Sequence, residues 1–374
     1  MSMLLDSSLD DVVLPASQFK HDWMHAIFIK GVFNVVTYLL FKQLRSEGIA
    51  DIYSRFQIYV KLWTFPGGLL TSHTLSNIFA QKRQSSNDKA KAFKCQASEG
   101  LSLIPLMAFY VMKVFMAAGV AVAACTAFVH LADLVDLILA VATGSVSPEA
   151  LRDCVGRFLD SCVAAGWLPH MTPKFHWLIH LPRYLARWGM LLSCFVHERK
   201  HRMVKRCCND VQNLKTSEWS VLSEVTCHHL AALKNTSTFN FSVGLLPPVR
   251  PASKKMLKFL CETVGRDDIN CNTALAARVS MFAVCRTRDV VLLKNSTGQM
   301  VAAELWFHAS VDGESVSLVS IWEPLTNEAG MGNRTWKSGS EHVMLVPTGD
   351  ILTPCTYRRG ANDVVDTLVP CVFR

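Results

Sequence analysis

Residues 174–206, KFHWLIHLPRYLARWGMLLSCFVHERKHRMVKR, hold eight Lys or Arg and four His against a single carboxylate, Glu198. Neighbouring positive charge favours the ionised form of such an isolated acid. Glu198 therefore reads as a metal ligand, as a base, or as the partner of Arg202 one helical turn on. Trp177, Tyr184 and Trp188 interleave with the cations, a composition suited to phosphate contacts and to stacking on unpaired bases. The competing reading makes the aromatics core residues and the cations a solvated face.

Working outward, 374 residues exceed one typical core, so two or three domains are expected. Half the residues are hydrophobic and 18% are charged, which excludes a disordered chain. The balance of 38 Lys+Arg over 30 Asp+Glu gives a net charge of +8, much of it concentrated in 174–206. Any nucleic-acid contact is expected from that region. Thirteen cysteines, an odd number with irregular spacing and no CxxC, point to reduced, mostly buried thiols in an intracellular protein. The N-terminal MSMLLDSSLDDVVLP lacks the basic n-region of a secretory signal. Residues 114–129, VFMAAGVAVAACTAFV, are apolar throughout, but Lys113 precedes the run and Asp133 and Asp136 close it. A bilayer span needs about 20 apolar residues, so the run is expected to be a core helix. A membrane-associated helical protein built around 100–142 is the alternative.

The predicted organisation is α+β: a predominantly helical N-terminal two thirds, then a small antiparallel β domain. An acidic tail, 1–18, precedes a helical region at 19–235. Over 19–63, Trp23, Ile27, Val32, Val36, Leu39 and Leu40 recur near the helical period, and Pro66-Gly67-Gly68 ends the block. Polar residues 80–94 read as an exposed loop. Helices are expected over 97–118, 120–142 and 149–165, the last stopped by Gly166. Another covers 209–235, with Trp219, Leu222, Val225 and Leu230 on one side. Residues 236–276, with Pro247-Pro248, read as a linker carrying a short helix. From 277 to 374 the period switches to two between turn-forming residues, which predicts β structure.

His197-Glu198-Arg199-Lys200-His201 is an HExxH sequence, in which His197 and His201 would hold zinc and Glu198 would activate water. The two intervening cations disfavour a dication there, and Glu218 and Glu224 are third ligands by distance alone. His176 and His180 repeat the i, i+4 spacing. They read as half of a four-His metal site or as polar members of a helix seam.

Lys174-x-His176, His180-x-Pro182, Arg183, Trp188-Gly189, Glu198-x-x-His201 and Lys205 together resemble a block of eukaryotic cut-and-paste transposases of the CACTA and Plavaka type. Asp22-Trp23-Met24-His25 with Gly31-Val32 is similar to their D-x-M-H…G-V element. Phe93-Lys94 through Ser98-Glu99, Leu101-Ser102 and Leu103-Ile104-Pro105 is similar to their F-K-x-x-E-x-L-S-L-L-P stretch. Order and spacing agree over residues 19–235. The resemblance implies a partial RNase H-like core with a helical insertion at about 66–170. It also implies DDE chemistry, in which two Mg2+ or Mn2+ ions brace the entering and leaving oxygens of a phosphodiester. On this carry-over Asp22 is the second metal-binding carboxylate and Glu198 the third, and His25 and His201 orient them.

The match has a gap. Only 21 residues precede Asp22, and Asp6, Asp10 and Asp11 lie too close to supply the first carboxylate. Gly189-Met190 also stands where the family has Gly-Pro. The expectation is a truncated, transposable-element-derived protein without strand-transfer activity. It would retain non-specific DNA binding through Lys174, Arg183, Arg187, Arg199, Lys200, Arg202, Lys205 and Arg206, and would then be nuclear. A zinc-dependent hydrolase is the alternative enzyme. The C-terminal β domain is a candidate module for a protein or chromatin partner.

Overall fold

The computed structural model describes residues 20–67, 69–194, 204–208, 217–234, 242–280, 283–295, 298–325, 334–339 and 343–371. The helices are α1 Trp23–Ile27, α2 Val32–Ser46, α3 Ile52–Lys61, α4 Ser72–Ser76, α5 Gln81–Ala90 and α6 Ala97–Tyr110. They continue as α7 Val122–Ala140, α8 Pro148–Ala164, α9 Pro173–Trp188, α10 Ser217–Lys234 and α11 Lys254–Val264. Every named strand follows residue 243 and every pairing is antiparallel. The fold is thus α+β, helical first and antiparallel last. The chain forms two compact units that interleave in sequence. One takes 1–50, 85–100 and 111–203; the other takes 51–84, 101–110 and 204–374.

In the first unit α2 packs on α7, α7 on α8, α8 on α9, and α9 on α1. Phe33, Phe93 and Phe128 meet in its core, and Phe158 stacks on Phe175 at 6.1 Å between ring centroids. The ends of α8 follow local signals. Ser147 accepts the amide of Ala150, Pro148 opens the first turn, and Gly166 leaves at φ +75°. The predicted helix over 19–63 is instead broken twice. Lys30 turns at φ +45° ahead of Gly31, and Gly48 at φ +90°. A Cβ on Gly31 would sit 2.3 Å from the Ala26 carbonyl oxygen and 2.6 Å from that of Ile27, so backbone approach alone demands glycine.

Residues 81–90, expected within an exposed loop, form α5. Arg45 clamps Asp88 with two bonds of 3.0 and 2.7 Å, and buried Asn87 accepts the amide of Lys94. The apolar run 114–129 spans a helix junction. A π-turn at Val111–Met116 gives way to Gly119 and Ala121, both at positive φ, before α7 begins. Segments Trp23–Ser46, Ala97–Met116 and Val122–Thr143 are long and apolar enough to cross a membrane, with 72, 61 and 50% of their apolar windows buried in the protein itself. All thirteen cysteines are free thiols. Burial pushes those of Cys125 and Cys162 up to about 12, where they stay protonated and unreactive.

Among the described residues the second unit holds thirteen strands. The first six are β1 Gly244–Leu245, β2 Arg250–Pro251, β3 Cys271–Ala274, β4 Ala276–Arg278, β5 Val284–Arg286 and β6 Val290–Lys294. The rest are β7 Met300–Val311, β8 Glu314–Ile321, β9 Glu323–Pro324, β10 Arg334–Lys337, β11 Val343–Pro347, β12 Ile351–Arg359 and β13 Val364–Leu368. The main sheet runs β11-β8-β7-β6-β12-β13-β10-β9, with β3 on β7 and β2 on β3; β1, β4 and β5 form a smaller sheet. The stretch 236–276 is therefore more than a linker. It supplies three strands, the first residue of a fourth, and α11, whose Leu260 is buried with Ile269, Cys271 and Ala309. The predicted β boundary at 277 also omits an early contribution. Thr64 and Tyr357 exchange both backbone hydrogen bonds, and Arg358 reaches over the rings of Tyr59 and Trp63 to pair with Asp366.

His308 is fully buried in this unit. Its Nε2–H donates to the carbonyl of Cys285 at 3.1 Å, because a carbonyl only accepts. Nδ1 must then accept from the Ser317 hydroxyl at 2.8 Å, and Ser317 in turn accepts from Thr348 at 3.0 Å. Desolvation lowers the imidazole pKa to about 4. On α10 the predicted apolar side is open: Trp219, Leu222 and Leu230 are exposed.

Candidate functional site

Two blocks far apart in sequence, 20–31 and 174–194, converge within the first unit. Asp22 caps α1. Its Oδ1 accepts the amides of Met24 and Cys194, and its Oδ2 accepts the amide and the Nδ1–H of His25. The Trp23 amide donates to the carbonyl of Leu192 at 3.2 Å, a second tie to the same strand of chain. At the other end of α1 the Lys174 ammonium donates to the carbonyls of His25, at 3.0 Å, and of Ile29. A cation there answers the negative end of the helix and fills carbonyls that the helix leaves unpaired. Burial and the Lys30 cation push Lys174 below the ordinary lysine range, opposed by Asp22.

Asp22, His25 and Cys194 offer an oxygen, a nitrogen and a sulfur within 4.8 Å of one another, the one such group among the described residues. The set does not suit Mg2+ or Mn2+, which take oxygen ligands in octahedral array. A carboxylate has about four acceptor positions, and Asp22 already receives four N–H groups. The side chain is 9% exposed. As placed, it is a structural cap.

The Lys174 ammonium also lies 5.6 Å from the Trp177 ring centroid, and the solvent-exposed part of α9 beyond it has a different character. Residues 173–188 contain no carboxylate. Arg183, Arg187 and Trp188 are exposed, and Tyr184 is half-buried. His21 lies flat on Trp177, with ring centroids 4.6 Å apart and planes 9° from parallel. It also approaches His180 at 5.6 Å and Tyr184 at 6.0 Å. The Lys20 ammonium stands 4.0 Å over the Trp188 ring, and the Arg187 guanidinium 4.9 Å from it. His176 and His180 face each other, with Nε2 atoms 3.1 Å apart.

The predicted residues therefore separate. Asp22, His25 and Lys174 come together in backbone-holding roles, whereas Arg183 and Arg187 share the outer face. Lys205 and Arg206 are exposed in the helical residues 204–208 of the second unit. His197, Glu198, Arg199, Lys200, His201 and Arg202 lie outside the described residues. Sequence reasoning missed Lys20, His21 and Cys194. The only local signal was the position of His21 beside the quoted Asp22 motif, and nothing local placed it against Trp177. No family model matches the chain, and neither a curated protein nor a solved structure matches it.

Proposed function

We propose that the protein is transposable-element-derived, its helical region corresponding to a partial RNase H-like core with a helical insertion, and that it binds nucleic acid without sequence preference rather than performing strand transfer. The observation that carries the binding is the outer side of α9. There Lys20 and Arg187 approach the Trp188 ring, Arg183 is exposed on the same helix, and the helix carries no acid of its own. Cations of this kind contact phosphates, and the half-buried and exposed rings offer flat surfaces to unpaired bases. The net charge of +8 works in the same direction over longer range. Against catalysis stands the occupied carboxylate of Asp22, which would have to release backbone amides to hold a metal. On this reading the D-x-M-H and K-x-H elements persist because they fasten α1 to α9, and the protein resides where DNA is, in the nucleus.

Fluorescence anisotropy with labelled duplex and single-stranded DNA of unrelated sequences tests the reading. Affinity should be similar across sequences and fall with salt, by about 0.9 log units per log unit of salt for each duplex phosphate contacted and about 0.7 for single strands. No binding to either form at low salt removes the proposal.

A further inference from the structure

The outer face of α9 also carries a feature that nucleic-acid contact leaves unused. We propose that His176 and His180 form a binding site for a divalent transition metal, of the class Zn2+, Co2+, Ni2+ or Cu2+, with His21 stationed beside it. The spacing i, i+4 puts both rings on one side of the helix, and their Nε2 atoms are 3.1 Å apart. With metal–nitrogen bonds of about 2.0–2.1 Å, that separation closes to an angle of about 98° at a shared ion. The value falls between the right angle of an octahedral or square site and the tetrahedral angle, so the side chains need little movement.

Without a metal, two imidazole nitrogens meeting at this distance must share one proton, since one Nε2 donates and the other accepts. His176 is exposed and His180 half-buried, so water offers each ring an equivalent partner and the contact gains little. At this separation one ion can bridge the two nitrogens in place of the shared proton. The His21–Trp177 stack fixes one wall of the cluster. Imidazole nitrogen suits these ions and not Mg2+ or Ca2+, which select oxygen. Two protein ligands leave coordination positions open for water or for a phosphate oxygen. The site stands on α9 alone, and its existence does not require that the nucleic-acid reading hold.

The test is a titration of the full chain with Co2+ near pH 7.5, read by visible absorption, followed by displacement with Zn2+. One equivalent of Co2+ should bind with nitrogen–oxygen coordination and leave when excess Zn2+ is added. His176→Gln and His180→Gln should each weaken binding by at least ~10-fold, while Cys194→Ser should leave it unchanged. Circular dichroism melts of both histidine variants should overlay the parent, because neither ring is in the core. Binding that survives both histidine substitutions overturns the proposal. So does an intense sulfur-to-cobalt charge-transfer band that disappears in Cys194→Ser, which would assign the ion to the Asp22–His25–Cys194 group. No saturable binding at all overturns it too. Nucleic-acid affinity measured in chelator on the same samples separates failure of this site from failure of the binding face.

Discussion

The two sides of the α1–α9 junction use similar residue types to opposite ends. On the inner side, the atoms of Asp22 and Lys174 are engaged by backbone groups from chain more than 140 residues away: the amide of Cys194 for Asp22, the carbonyls of His25 and Ile29 for Lys174. On the outer side, Arg183, Arg187 and Trp188 face solvent on the same helix. A charged residue in a motif is therefore ambiguous until its partners are known. The difference has an energetic signature: inner substitutions should lower stability, and outer ones should change ligand binding with the fold intact.

The sharpest break of that contrast is at Gly31. With carbonyl oxygens 2.3 and 2.6 Å from the position a Cβ would take, Gly31→Ala must move the exit of α1 and with it the carbonyls that Lys174 holds. Overpacking against backbone predicts a loss of about 3 kcal/mol or more in urea unfolding. A loss below about 1 kcal/mol would mean that the close approach is not rigid.

The second unit extends the inner-side logic to His308. Its pKa is depressed to about 4, against an ordinary value of 6.5 for the unfolded chain. The unfolded state then binds the proton first as pH falls. The stabilising contribution is fully present above pH 6.5 and is lost progressively down through about pH 4, amounting to about 3 kcal/mol. His308→Gln should flatten that acid limb relative to the parent. Identical pH dependence in the two proteins would contradict a neutral, desolvated imidazole.

Asp22 comes next in size. Asp22→Ala removes the cap of α1 and strands the Cys194 amide, for an expected cost of about 2 kcal/mol. Asp22→Asn keeps an acceptor oxygen and should lose about half as much. Were the acid held for metal chemistry at the expense of the fold, neutralising it would leave stability unchanged or raise it, and equilibrium unfolding discriminates directly.

What the sequence discloses and what it hides follow the same division between near and far. The ends of α8 are legible because Ser147, Pro148 and Gly166 act within a turn of themselves. The strands after 283 are legible because short apolar runs set between turn-forming residues need only the segment itself. By contrast, α5 has too polar a surface to announce itself and depends on the Arg45–Asp88 clamp, 43 residues apart in sequence. The pairing of Thr64 with Tyr357 leaves no trace in either segment alone. In the candidate site Asp22 and His25 share one motif, whereas Lys174 reads from the sequence only as a nucleic-acid-binding cation, and its place against α1 rests on the backbone carbonyls it meets. That is a property of the folded chain, and no spacing rule reports it.

The smallest stability effect makes the most direct comparison of the two sides. Arg183→Ala and Arg187→Ala remove exposed cations, so unfolding free energy should change by no more than about 0.5 kcal/mol. If each meets one duplex phosphate, each removal should flatten the salt dependence of DNA affinity by about 0.9. Lys174→Ala should behave in reverse. Its ammonium is spent on two carbonyls, so the salt slope should stay and the melting temperature should drop. Side by side, the three variants separate a binding cation from a structural one on a single helix. An unchanged slope in both arginine variants would move the phosphate contacts off α9, whereas a flattened slope with full stability in Lys174→Ala would turn the inner side outward.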